Sequence, residues 1–315
     1  MRTRNILLAC GIIVLLIGAT AAITFTIAQS TSNEKDSSFY ASLRPDVIAF
    51  DHLDQYVHDI EFPKSLDFCG EPVPLDRFYV KESLERELLV NSYLHASTML
   101  LLKRTTRWFP VIEPIMKANG LPSDFKYLAM IESSLTNAVS PSKAVGFWQF
   151  LEGTGKEYNL EINKEVDMRY NQEQETKAAC QYLKDSYRRF GSWTLSAAAF
   201  NCGNGRITRT IDEQRVNSYY DMLLPNETER YVYRILALKL ITENPQKYGF
   251  SISDEGWYQP LEYKTVTVTE SIPNLVDFAI EKGTNLKMLK YYNPWLRGTS
   301  LTISEGNSYV IKLPR

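Results

Sequence analysis

The chemistry this chain could do gathers around one carboxylate. In residues 131–150, IESSLTNAVSPSKAVGFWQF, Glu132 closes an apolar run and is followed by small polar residues and a Gly-Phe-Trp-Gln. On a helix begun at Pro122, the residues Leu121, Phe125, Leu128 and Glu132 recur at i, i+4, i+7 and i+11, which puts the acid on the apolar face, opposite Ser123 and Lys126. Burial disfavours a carboxylate's charged form and raises its pKa, so a glutamate held there stays protonated near neutral pH and can donate a proton. A solvated helix-end charge fits the same spacing, and spacing alone leaves the two readings even.

The neighbouring residues favour a sugar cleft. SSLTNAVSPSKAVG is a long connection of small and polar residues, and Trp148 and Gln149 follow it with an aromatic face and an amide. Aromatic faces stack on pyranose rings, and hydroxyls and amides bond their substituents; a core role for Trp148 is the commoner one. Downstream, AAAFNCGNGR ends a small-residue helix with Asn201, Gly203 and Gly205, but this Gly-x-Gly lacks the preceding strand and the Lys-Ser/Thr of a phosphate loop. With 3 His, no Cys-x-x-Cys and irregularly spaced Cys69, Cys180 and Cys202, no metal and no cofactor are expected, and the three thiols read as buried.

Composition places these residues in an ordinary globular protein with one added apolar segment: of 315 residues 44% are hydrophobic and 23% charged, with a net charge of -2. There is no basic excess, so nucleic acid is not an expected partner. The added segment is ILLACGIIVLLIGATAAITFTIA, residues 6–28, uncharged and preceded by Arg2 and Arg4. It is long enough to span a bilayer and is oriented to send the rest of the chain outward, anchored in the inner membrane. Cleavage near Ala19-Thr20-Ala21 or lipidation at Cys10 are the rival fates; all three put the remainder in the periplasm.

The elements that must position the site follow from periodicity. Residues 1–28 are taken as the anchor or signal segment and 29–80 as a tether and N-terminal extension. From about Lys81 the pattern is helical up to Gly120; further helices open at Pro122, run over QEQETKAACQYLKDSYRRF to Gly191, over WTLSAAAF, and over ETERYVYRILALKLITEN to Pro245. No period-two strand pattern interrupts residues 81–245. From Tyr263, YKTVTVT and SYVIKLP alternate as strands, with NLVDFAIEKG and LKMLKYYNPWL as helices between them, giving a small β-α-α-β unit over 263–315. The fold class is mainly α, an all-α domain over 81–250 followed by that unit.

In order and spacing, RTTRWFPVIEPIMKANGLPSDFKYLAMIESSL, AVSPSKAVGFWQFLEGTGKEYNL, the QEQETKAACQYLKDSYRRFGSWTLSAAAFNCGNGRI stretch and ETERYVYRILALKLITENPQKYGF resemble the catalytic domain of the soluble-lytic-transglycosylase superfamily, most closely its membrane-bound type D branch. The resemblance implies a lysozyme-like fold and peptidoglycan glycan strands as substrate. It makes Glu132 the catalytic acid of a Glu-Ser motif with Ser133 beside it, and Ser140 a cleft serine that steers the N-acetyl group or 6-hydroxyl. It makes Gly146 and Gln149 members of a Gly-Leu-Met/Trp-Gln signature, Asn201 the Asn of an Ala-Tyr-Asn, and Tyr231 a tyrosine that positions the acid. Phe147, Phe200 and Cys202 depart from the usual residues.

Most glycosidases place two carboxylates about the scissile bond, whereas the matched positions offer Glu132 alone; Glu152, Glu157 and Asp167 read as surface charges. A single acid suits a substrate-assisted reaction in which the muramyl 6-hydroxyl attacks internally and leaves a 1,6-anhydro sugar. A muramidase that uses water, or a wall-binding scaffold without catalysis, are the alternatives. The C-terminal unit resembles a LysM module, a glycan-binding fold, in its element order and its Asn293-Pro294, with TESIPNLVDFA in place of the usual Gly-Asp-Thr-Leu opening; a domain that packs on the catalytic core is the alternative.

Overall fold

The computed structural model describes residues 59–315. The expected membrane segment at 1–28 and residues 29–58 of the expected tether lie outside the described residues. Among the described residues no helix is long and apolar enough to cross a membrane.

Ten helices and two small antiparallel sheets occur in the described residues. The helical run from Lys81 to Gly120 is two helices, α1 (Phe78–Tyr93) and α2 (His95–Ala118), broken at Leu94, whose φ of -80° and ψ of 54° leave the helical basin. After a 3-10 turn at Ser123–Phe125 comes α3 (Lys126–Ser133). A short α4 (Glu152–Glu157), α5 (Gln172–Phe190) and α6 (Trp193–Cys202) follow. Gly191, in the left-handed region at φ 66°, ends α5 as expected. Helix α7 (Asn204–Gln214) was not anticipated; α8 (Asn226–Glu243) was.

Helix α8 is apolar on most of its circumference and runs through the core, with Val232, Ile235, Leu236, Ala237 and Ile241 fully buried. Its one buried cation is satisfied: Lys239 Nζ donates to Asp124 at 2.8 Å and to the Asp67 carbonyl at 3.0 Å. Arg230 binds Glu87 on α1 through two bonds of 2.7 and 3.2 Å. The alanines 197–199 of α6 are wholly buried, and their small side chains let α5 and α8 approach its backbone.

The segment before α1 is more than an extension. Ile60, Phe62 and Leu66 pack on the main core, and Phe68, in the hairpin β1 (Asp67–Phe68) and β2 (Glu71–Pro72), is buried within it. Glu71 reaches from this hairpin to the start of α6, where its carboxylate accepts from the Thr194 N–H at 2.9 Å and the Ser192 hydroxyl at 2.9 Å. A negative group there satisfies orphan donors and complements the helix dipole.

The C-terminal unit has the expected order: β3 (Tyr263–Val268), α9 (Leu275–Glu281), α10 (Leu286–Tyr292) and β4 (Tyr309–Pro314), with Tyr263 opposite Pro314 and Val268 opposite Tyr309. Asn274 and Asn285 cap its helices. Asn293 is buried and pins α10 to β4, donating to the Leu289 and Lys312 carbonyls and accepting from the Lys312 N–H at 2.8 Å.

Candidate active site

Glu132 sits in the last turn of α3, and the helix stops two residues later because Ser134 and Leu135 both take left-handed conformations, φ 53° and 54°. That reversal turns the chain into the 136–150 connection, which forms one side of a cleft of about 640 Å³. The cleft is lined by Glu132, Ser140, Gln149, Asn201 and Glu227 among its polar residues, and by Phe150, Tyr182 and Phe200 among its aromatic ones. A volume of this order is that of a ligand-binding cleft rather than a packing defect.

Burial pushes the Glu132 carboxyl up to about 7. The Tyr231 hydroxyl donates to its Oε1, and the positive Arg234 lies near; both pull the other way, and the negative Glu227 adds to the upward push. The result is an acid that is half protonated near neutrality, able to give a proton and then to take one back. Tyr231 is itself buried on α8, so the hydroxyl is held by the core and fixes the carboxyl's orientation.

The opposite wall comes from the end of α6. Asn201 accepts from the Thr228 hydroxyl at 2.8 Å, which ties α6 to α8 beside Glu132. Gln149 has φ 50°, and its side-chain N–H group donates to the Ala138 and Gly146 carbonyls at 3.1 and 2.8 Å, so the amide is held at the cleft wall. The Ser140 hydroxyl accepts from the Ala144 N–H at 3.0 Å and remains at the cleft surface.

Ser133, Gly146 and Tyr231 stand behind the wall. The Ser133 hydroxyl is buried and donates to the Phe147 carbonyl at 3.0 Å, linking α3 to the connection. Gly146, at φ 86°, has the Arg169 carbonyl where a Cβ would be, 1.9 Å from that position, and the Glu175 carboxylate at 2.4 Å. Only glycine fits there. Trp148 is a core residue: it is fully buried, and its indole N–H donates to the Thr176 hydroxyl at 3.0 Å, so no face of it is offered to a sugar. The aromatic residues lining the cleft are instead Phe150, Tyr182 and Phe200, the rings of the last two meeting edge-on at 5.1 Å.

Three acids escaped the sequence. Glu227 lines the cleft as a second carboxylate. Glu175 is wholly buried behind it; its Oε2 accepts from the Trp148 N–H at 3.2 Å, its Oε1 has no hydrogen-bond partner among the described residues, and burial raises its pKa well above the usual carboxylate range. Asp167, read as a surface charge, is buried and pairs with Arg169 at 2.7 Å; Arg169 also donates to the Phe150 carbonyl at 3.2 Å. The signal for Glu175 is its place one turn before Ala179 and two before Leu183, both buried on α5. Nothing local marked Glu227. Among the described residues no cluster of metal-binding side chains occurs, and Cys69, Cys180 and Cys202 are free thiols.

Comparison with known proteins adds independent observations. Residues 109–223 match the transglycosylase SLT domain, and residues 264–315 match the soluble lytic transglycosylase C-terminal LysM-like domain. Over 238 residues the chain is 28% identical to the membrane-bound lytic murein transglycosylase D of Escherichia coli strain K12, aligning 74% of this chain with 51% of that protein. The protein of the same name from Escherichia coli O6:H1 strain CFT073 gives the same figures. The chain spans about half the length of the curated relatives it matches. Glu132, Ser133, Ser140, Gly146, Gln149 and Asn201 fall inside the SLT match; Glu227 and Tyr231 lie beyond its end.

Proposed function

We propose, on the premise that the chain carries an SLT domain and an SLT-type LysM-like module, that the protein is a peptidoglycan lytic transglycosylase with Glu132 as its acid and base. The observation that carries this reading is the Glu132 carboxyl itself, set in a cleft wall, buried enough to titrate at about 7 and oriented by the Tyr231 hydroxyl. Such a group can serve both halves of a proton exchange at neutral pH.

The reaction begins with a glycan strand in the cleft and the bond between N-acetylmuramic acid and N-acetylglucosamine beside Glu132. The carboxyl gives its proton to the glycosidic oxygen, that oxygen leaves with the bonding pair, and the substrate's own N-acetyl group supports the cationic anomeric carbon. Glu132, now a carboxylate, takes the proton of the muramyl 6-hydroxyl, whose oxygen closes on the anomeric carbon to form the 1,6-anhydro ring. The acid is restored and no water is consumed. An internal nucleophile has a large effective concentration, so a second protein carboxylate is not required. Ser140, Gln149 and Asn201 lie where hydroxyl and amide groups can hold sugar substituents, while Ser133, Gly146 and Tyr231 set the wall and the acid. The uncharged segment at 6–28 would hold this domain at the outer face of the inner membrane, toward the wall.

Glu227 gives the hydrolytic reading its one supporting observation, since two carboxylates in one cleft can activate water. Glu227→Gln separates the two. A transglycosylase keeps its anhydro products and loses only a negative neighbour of Glu132; a hydrolase loses turnover. The transglycosylase reading itself is tested by release of soluble fragments from purified peptidoglycan. Wild type should release them and Glu132→Gln should not, while still sedimenting with the polymer; undiminished release by the variant would remove Glu132 from the reaction.

A further inference from the structure

The C-terminal module is joined to the SLT domain through the stretch that props the cleft wall. Residues 161–173, which run from beyond α4 into the first turn of α5, are gripped by the module along their length. Glu165 is the centre of that grip: its carbonyl accepts from the N–H groups of Arg297 and Gly298 at 2.7 and 3.2 Å. Its carboxylate accepts from the Ser300 hydroxyl and from the Thr302 N–H at 2.8 Å. Asp167 N–H donates to the Trp295 carbonyl at 2.9 Å, and the backbones of Val166 and Leu296 bridge. To either side the Tyr309 hydroxyl donates to the Glu161 carboxylate at 2.9 Å, and Lys312 pairs with Glu173 at 2.6 Å.

The same stretch faces the cleft from behind. Arg169, held by Asp167, donates to the Phe150 carbonyl, and its own carbonyl fills the place of the missing side chain at Gly146. Gln172 donates to Asn137 at 3.2 Å, at the start of the wall. Val145, whose backbone bridges to Val139 and Phe150, is buried with Val166, Tyr170, Leu289, Trp295 and Leu296 in the module's apolar cluster and not in the main core. Val145 of the wall therefore shares the apolar cluster of the module.

We infer that the C-terminal module is a positioning element of the catalytic cleft: through Glu165 and the 161–173 stretch it fixes the Val145–Phe150 wall that holds Gln149, apart from any glycan the module itself contacts. Its effect on turnover rests on the transglycosylase reading; its effect on the wall does not. Side chains that hold substrate groups must be placed to within a fraction of an ångström, so a loosened wall costs turnover even though no residue touching substrate has changed.

The test uses the full chain. In Glu165→Ala the amide hydrogens of residues 145–150 should exchange faster while those of α8 keep their protection. Turnover of a soluble N-acetylglucosamine–N-acetylmuramic acid tetrasaccharide should drop by roughly tenfold or more, mainly in kcat. Glu165→Gln, which retains an acceptor for Thr302 and a polar group for Ser300, should restore both. Should Glu165→Ala fail to fold, Tyr309→Phe, which removes only the bond to Glu161, should give the same two changes in smaller measure. Unchanged exchange at 145–150, or faster exchange with undiminished turnover, overturns the inference. If the wild-type protein leaves the tetrasaccharide intact, the transglycosylase reading fails, and the exchange result still decides whether the module holds the wall.

Discussion

Replacing Glu132 by glutamine should change how stability depends on pH, and the size of the change follows from the site. Free glutamate titrates near 4.5 and Glu132 at about 7, because folding buries the carboxyl against Tyr231 and the cleft wall. The folded state therefore holds a proton that the unfolded chain gives up between those two values. Below 4.5 both states are protonated and nothing is lost; as pH rises toward 7 the unfolded chain gains from ionising and the folded one does not, so stability falls. At ~1.4 kcal/mol for each tenfold change in acidity, the loss above pH 7 amounts to at most about 3 kcal/mol. Glu132→Gln keeps an oxygen to accept from the Tyr231 hydroxyl and has nothing to titrate. Thermal melts of the two proteins from pH 4 to 9 should diverge, with the variant gaining on wild type by roughly 5–10 °C across the window. Parallel melting curves over the whole range would refute the reasoning, because they would mean that the carboxyl is solvated and ordinary.

Two further substitutions probe the support of that acid. Tyr231→Phe removes a donor that favours the Glu132 carboxylate, so the carboxyl should titrate higher still, and the alkaline limb of the pH–activity profile should move up while maximal turnover falls; an unmoved limb would show that the hydroxyl does not act on the acid. Gly146→Ala forces a methyl into the Arg169 carbonyl at a backbone angle that favours glycine, and should lower unfolding stability by at least ~3 kcal/mol in denaturant titrations, with near-normal stability counting against the close approach described here.

Much of this architecture is legible in the chain because local signals and tertiary demands agree. Gly191 ends α5 where a left-handed residue is needed, and alternation in YKTVTVT and SYVIKLP gives the two strands that pair as β3 and β4. The apolar-face position of Glu132 leaves a buried acid and a solvated charge even, and helical spacing cannot say whether a cleft opens beside it. That depended on the paired left-handed residues Ser134 and Leu135, which carry no glycine to announce the turn. The neighbours of Trp148 in the chain suit a sugar platform, whereas its indole is held in the core by Thr176, distant in sequence. Glu227 faces the cleft only because α8 crosses beside α3, and Asp167 is buried only because Arg169 and the C-terminal module close over it. The break at Leu94 is likewise invisible, because no proline or glycine stands beside it, whereas Pro110 and Pro114 of the same run lie inside α2 without ending it.

In the proposed reaction Glu132 passes a proton between two oxygens of the same glycan strand without admitting water. Digesting purified peptidoglycan in water enriched in heavy oxygen and weighing the released sugars tests it most directly. Muramyl ends one water lighter than reducing ends and carrying no label are expected; labelled reducing ends, formed at the same rate that fragments appear, would rule the mechanism out.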